Sequence, residues 1–212
     1  MKDIPMFTTE HGAASLTLRE IPYRAIAYVK IQATHDPELL IQECVDFCRV
    51  VGADSIYASG HPALEKYPFY TGILKMRCAK DAIRDTDAAL WPVQPETLER
   101  WLEIYNSKAI KIPNAAWMTA QDGKQMLDLG EGYFVHRGGE LLGIGRVSAD
   151  ALRWVASCRP GAGEDVVCAL CHAIMGDTVT LEVSTENRKA IGLYEKIGFV
   201  ACQELARWYK IY

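Results

Sequence analysis

The chain has 212 residues, half of them apolar, and a net charge of −4; this is enough material for one large domain or two small ones with a proper core. A mildly acidic chain without a long basic run carries no nucleic-acid footprint. No apolar run approaches the ~20 residues needed to cross a bilayer, and the opening residues 1–12 lack the apolar stretch of a signal peptide. Together these predict a cytoplasmic protein with neither nucleic acid nor membrane as partner.

Leu16–Leu18 and Ala25–Ile31 read as strands on either side of a turn at Glu20–Tyr23. Asp36-Pro37 opens a helix in which Leu39, Leu40, Cys44, Phe47, Cys48 and Val51 recur at helical spacing, with Gly52 as its stop. Ser55–Ala58 is a short strand, His61-Pro62 opens a short helix that Pro68 ends, and Gly72–Cys78 is a further strand. Lys80–Ala88 is polar, without a strong period, and reads as a connector whose start is open to a helical reading. A strand is only faintly visible near Leu90–Val93. Pro95–Ile104 is a helix with proline at its opening, striped by Trp101, Leu102 and Tyr105. Lys111–Met118 reads as irregular or weakly helical, Asp122-Gly123 as a turn, and Lys124–Leu129 as a short helix.

The remainder is more regular. Tyr133–Arg137 and Leu141–Val147 flank Gly138-Gly139, a hairpin signal. Leu152–Ala156 is a strand, Cys158–Gly163 a glycine-rich loop, and a helix runs on to Ile174. Thr178–Val183 is a strand, Asn187–Lys196 a helix, and a final strand runs from Val200 toward Tyr209. The alternation of strands and helices defines an α/β domain.

The seven cysteines, odd in number and irregularly spaced, read as reduced and mostly buried thiols. Cys168-Ala-Leu-Cys171-His172 matches the spacing of a c-type haem attachment site. It lies, however, in the apolar-periodic helix Val166–Ile174 with no export signal upstream, so no haem is expected. No second Cys/His cluster completes a tetrahedral zinc site, so no metal is expected either.

Residues 181–199, LEVSTENRKAIGLYEKIGF, combine a strand, a polar turn, a helix and a Gly-Phe exit. Asn187 stands at the helix start, Ala190, Leu193 and Ile197 share one face, and Gly198 ends the helix in a left-handed turn. This segment resembles the second signature of the GNAT (general N-acetyltransferase) superfamily through Asn187, Ala190, Leu193, Tyr194, Lys196, Gly198 and Phe199. Upstream, Cys158-Arg159-Pro160-Gly161-Ala162-Gly163 is similar to the family's Q/R-x-x-G-x-G/A loop, with Cys158 in the polar first place. Small residues there let backbone N–H groups approach phosphates at a helix N-terminus.

The resemblance implies the acyl-CoA N-acyltransferase fold, a mixed twisted sheet flanked by helices, over residues 89–212. It implies an acetyl-CoA cosubstrate held by main-chain groups of Trp154, Val155 and Ala156 and by Arg159, Gly161, Ala162 and Gly163. Asn187 would lie near the pantetheine arm or hold its loop, and Tyr194 would protonate the departing thiolate. Glu182 is the first candidate for general base; Asp150, Glu140 and His136 are others, and water alone suffices in some family members. Glu164 and Asp165 depart from the family pattern, since two carboxylates beside a diphosphate would repel it. Cys158 is disfavoured as an acyl carrier, because no histidine is placed beside it.

Residues 1–88 form an α/β extension. Leu64–Phe69 lines up with Tyr194–Phe199, which gives two readings: a degenerate, truncated GNAT-like half or an unrelated extension. The leading expectation for function is direct acetyl transfer from acetyl-CoA to a small-molecule or peptide amine. The rival, favoured by Glu164 and Asp165, is a catalytically silent acyl-CoA-binding or regulatory module. Neither the acceptor nor the oligomeric state is legible.

Overall fold

The computed structural model describes residues 2–212. Two compact units are formed, Met1–Ile73 with Glu204–Tyr212, and Leu74–Gln203. The contact boundary therefore precedes the division at residue 88 drawn from sequence, and the last residues return to the first unit.

In the first unit, strands β1 (Ile4–Thr9) and β2 (Gly12–Thr17) make an antiparallel hairpin. The turn expected at Glu20–Tyr23 is a single helical turn, α1 (Ile21–Arg24). Strand β3 (Ile26–Thr34) pairs antiparallel with β2. Helix α2 (Pro37–Val50) starts at Asp36, whose carboxylate accepts a 3.2 Å hydrogen bond from the Leu39 amide. Its buried residues Leu40, Ile41, Cys44, Val45 and Cys48 pack on Val29, Ile31, Ile56 and Ala58 of the sheet. Full burial of each larger apolar side chain contributes about 1.5–3 kcal/mol. Strand β4 (Ser55–Ser59) lies parallel to β3 without interruption, from Ile26 opposite Ser55 to Lys30 opposite Ser59. A 3-10 turn, Pro62–Lys66, leads into β5 (Phe69–Ala79), whose first residues belong to this unit. At the end of the chain Tyr209 pairs with Ala58 and Lys210 with Tyr57.

The second unit continues with β6 (Ala89–Pro92), the strand only faintly visible in sequence. Helices α3 (Leu98–Ala109) and α4 (Ala120–Asp128) follow. Then come β7 (Gly132–Arg137), β8 (Glu140–Val147) and β9 (Ala151–Ser157). Helix α5 (Gly163–His172), β10 (Thr178–Ser184), α6 (Arg188–Ile197) and β11 (Val200–Lys210) complete the chain. Strand order is β10-β9-β8-β7-β6, with the later residues of β5 on the other edge of β10. Strands β6 to β9 are an antiparallel meander, while β9 and β10 run parallel with α5 as their crossover.

Two apolar layers sandwich this sheet. One joins α5 and α6 to Leu142, Leu152, Leu181 and Val183. The other joins α3 and α4 to Phe134, Ile144 and Trp154. Two glycines of β8 seat α5. A Cβ on Gly143 would lie 2.5 Å from the Ala156 carbonyl oxygen, and one on Gly145 would lie 2.2 Å from Leu170 Cδ1. The turn expected at Asp122-Gly123 is instead the first part of α4. The Thr119 hydroxyl accepts from the Asp122 amide at 3.2 Å and the Asp122 carboxylate accepts from the Thr119 amide at 2.9 Å, a capping box that starts the helix earlier. Gly123 serves close helix packing, because a Cβ there would stand 2.8 Å from Leu102 Cδ1.

Candidate active site

Strands β9 and β10 pair only where Thr180 faces Ala151 and Leu181 faces Leu152. Beyond that point β9 runs on to Ser157 and β10 to Ser184 with no further pairing between them. On its other edge β9 stays paired to β8 through Ser157 opposite Gly143. The Cys158 amide donates to the Leu142 carbonyl at 2.8 Å. Amide direction alternates along an antiparallel ladder, so Trp154 and Ala156 also present theirs to β8. The N–H groups of Val155 and Ser157 face the opened side. An extended ligand placed there would add to β9 as a further strand does.

The loop after β9 opens α5. Gly161 has φ +81° with nothing near its Cβ position, a backbone state that favours glycine. Gly163 stands where a Cβ would lie 3.1 Å from Leu193 Cδ2, so α5 and α6 approach closely at this end. Ala162 donates to the Arg159 carbonyl at 3.3 Å and Val166 to the Ala162 carbonyl at 3.0 Å. Among the described residues, the amides of Gly161, Gly163, Glu164 and Asp165 donate to no backbone carbonyl. Free donors at a helix start are an anion cradle. Arg159 is exposed and reaches Glu140 at 3.3 Å.

Glu164 and Asp165 are engaged by cations. Arg84 spans both, with Nε 2.7 Å from Glu164 and a terminal nitrogen 2.6 Å from Asp165. Arg137 adds a 3.0 Å contact to Asp165, and Lys196 pairs with Glu164. The Glu164 carboxyl is held below its ordinary range by hydrogen bonds from Lys196 and then Arg84. Burial acts against ionisation of Asp165, but hydrogen bonds from Arg84 and Arg137 together outweigh it and hold the group below its ordinary range. The repulsion expected from these two carboxylates is thus locally compensated. Arg84 lies in the stretch read as a plain polar connector, and Arg137 at the end of a hairpin strand. Neither carried a sequence signal for this role.

Asn187 is the N-cap of α6: its side-chain oxygen accepts from the Ala190 amide at 3.3 Å. Gly198 ends α6 with φ +115°. Tyr194 is 8% exposed and packs its ring 5.9 Å from that of Phe199. Burial, with a smaller contribution from nearby Cys171, pushes its phenol well above the ordinary range. It therefore stays protonated at neutral pH. Glu182 is exposed and alternates with buried Leu181 and Val183. It lies on the sheet face away from the α5–α6 layer, so Tyr194 and Glu182 approach the opened strands from opposite faces. Trp154 has its ring 4.3 Å from Tyr105 in the α3 layer, leaving its main chain at the strand.

Among the other base candidates, Glu140 pairs with Arg159, and Asp150 offers its carbonyl to Thr180. The His136 ring lies 5.7 Å from that of Trp91 and 6.2 Å from that of Phe134, with a buried, unbonded Nδ1. Burial and then Arg100 lower its basicity. Cys158 is half-buried, and burial raises its thiol pKa more than Lys108 and Arg100 lower it. Cys168 and Cys171 are buried in α5.

A meander opening into parallel β9-α5-β10, with strands that part beside a glycine loop, is the GNAT fold, and this chain has it. Within it, residues 156–208 match the model of the FR47-like protein family. No curated protein matches the sequence significantly. Among solved structures, a conserved protein of unknown function from Staphylococcus epidermidis superposes with a TM-score of 0.61 at 13% identity, over 96% of this chain and 91% of that one. A GCN5-related N-acetyltransferase from Sphaerobacter thermophilus gives 0.55 at 15% identity, over 93% and 75%. A tandem GNAT protein from the clavulanic acid biosynthesis pathway gives 0.56 at 12% identity, over 94% and 78%. At these identities the likeness establishes the fold. Among the described residues no helix is long and apolar enough to cross a membrane.

Proposed function

We propose that the second unit is an N-acetyltransferase that moves the acetyl group of acetyl-CoA to the amine of a small molecule or peptide. The observation that carries this is the parting of β9 and β10, which leaves the Val155 and Ser157 amides free at one end and open loop amides at the other. The pantetheine amides would bond to the main chain of β9 at Val155 and Ser157, since Trp154 and Ala156, expected from sequence to share this role, turn their main-chain groups to β8. The diphosphate would take the amides of Gly161 and Gly163, with Ala162, whose own amide turns to the Arg159 carbonyl, between them and Arg159 as a nearby cation. Asn187, fixed as the cap of α6, would border the same channel.

Catalysis would rest first on holding the amine against the thioester. The amine nitrogen forms the new C–N bond as the C–S bond breaks, with the Val155 N–H polarising the carbonyl oxygen. Tyr194 supplies a proton to the sulfur. A phenol this weakly acidic releases it only when the sulfur carries nearly a full negative charge. Glu182, directly or through water, takes the proton lost by the amine.

The first unit repeats part of this topology: β2-β3-α2-β4 corresponds to β8-β9-α5-β10. Its β3 and β4 pair at every position from Ile26/Ser55 to Lys30/Ser59, and its loop has no glycine and is capped by its own Asp36. These features support a degenerate GNAT-like half without a cofactor slot.

The test is calorimetric binding of CoA combined with turnover of acetyl-CoA against a panel of amines. Binding with a Tyr194→Phe loss of turnover of about 10²-fold or more, affinity retained, is the expected result. Tight binding without transfer to any amine would mark a silent acyl-CoA module, and no binding would end the proposal.

A further inference from the structure

We propose that Arg84 is a positioning residue for the cofactor's diphosphate, acting by neutralising the two carboxylates at the mouth of the loop. This rests on the acetyl-CoA reading above and goes beyond it. The first turn of α5 presents free amides to a diphosphate, yet that turn itself carries Glu164 and Asp165. Left alone, two negative charges would oppose the partial positive charge of the helix start. Arg84 forks across both at 2.7 and 2.6 Å, the planar geometry that guanidinium offers and ammonium does not. The fork also turns the carboxylates toward the Lys80–Ala88 connector. Thr86 adds a 3.3 Å hydrogen bond to Asp165, and Arg84 is fixed further by its own bond to the Asp85 carbonyl at 3.0 Å.

The other charges facing this cluster are Lys196 on α6, which pairs with Glu164, and Arg137 on β7, which is shared between Asp165 and Asp87. Lys196 is committed to one carboxylate and Arg137 is divided between Asp165 and Asp87, so among the described residues Arg84 alone answers both. The connector's conformation is thereby linked to cofactor affinity. His172, at the far end of α5, donates from Nε2 to the Arg84 carbonyl at 3.2 Å and anchors the same segment.

Replacing Arg84 by glutamine removes one positive charge near a doubly negative group. For a separation of about 8–10 Å and an effective dielectric of about 50, between the surface and bulk-water values, this weakens binding about tenfold at low salt, with most of the effect screened by about 0.5 M salt. The experiment measures CoA and pantetheine binding to wild type, Arg84→Gln, and the triple variant Arg84→Gln/Glu164→Gln/Asp165→Asn, at low and high salt. Expected are a roughly tenfold, salt-sensitive loss for CoA in the single variant, recovery in the triple variant, and unchanged binding of pantetheine, which lacks the diphosphate. Equal loss for pantetheine, or no recovery in the triple variant, would show that Arg84 only supports the fold and would overturn the inference. If wild type binds CoA and Arg84→Gln binds it equally, the inference fails alone. If wild type binds no CoA, the acetyltransferase reading fails with it.

Discussion

Substituting alanine for Gly145 tests how α5 is seated on the sheet. The added Cβ would fall 2.2 Å from Leu170 Cδ1 and 2.8 Å from Cδ2. Leu170 is wholly buried, among the apolar residues of α5 and the sheet, so it can yield only by displacing close-packed neighbours. Overpacking of this kind costs about 1–3 kcal/mol. Shortening Leu170 to alanine alone opens a cavity and costs about 2–5 kcal/mol. The two changes compensate: the alanine methyl at position 145 enters the space that Leu170 vacates. In chemical denaturation, Gly145→Ala/Leu170→Ala is therefore expected to be more stable than the sum of the single losses by about 1 kcal/mol or more, within the range seen for contacting residues. Strict additivity would refute the claim that the glycine is there for this leucine.

Asn187→Ala removes the cap of α6 and should cost about 1 kcal/mol in denaturation, while Asn187→Ser keeps most of it. Glu164 and Asp165 are held below their ordinary values of 4.5 and 3.8. The stability they contribute is complete above those values and is lost as pH falls through the lower folded-state values. Unfolding curves from pH 6 to pH 2.5 should show this loss, and the Glu164→Gln/Asp165→Asn variant should show a shallower one. Cys158→Ala should retain turnover if transfer is direct, and a covalent acyl adduct on Cys158 seen by mass spectrometry would contradict that.

Much of the second unit could be read from its sequence because its signals are local. The Gly138-Gly139 hairpin, the α6 segment from Asn187 to Gly198 and the loop at Gly161 depend on residues adjacent in the chain. What escaped depends on contacts between distant segments. Strand β1 shows no alternation and gains its identity from β2, which it pairs from Ile4 to Thr9. Gly123 looked like a turn because glycine breaks helices in isolation, but its absence of a side chain serves Leu102. Arg84 lies 80 residues before Glu164, and nothing in its neighbours announces a forked ion pair. The carboxylates read as a threat to the anion site look different once their cations are in place. No single residue in either strand encodes the parting of β9 and β10.

The two long strands β5 and β11 each cross the boundary between the compact units, at Ile73/Leu74 and Gln203/Glu204. A fragment ending at Ile73 would lack Tyr209 and Lys210, which complete the β4 edge. A fragment beginning after the connector would lack the neighbour of β10 supplied from Leu74 onward. Neither half can be excised as a contiguous piece without leaving bare backbone edges, so insertions, deletions and fusions should be tolerated at the Gly138-Gly139 tip far better than anywhere between Phe69 and Ala79.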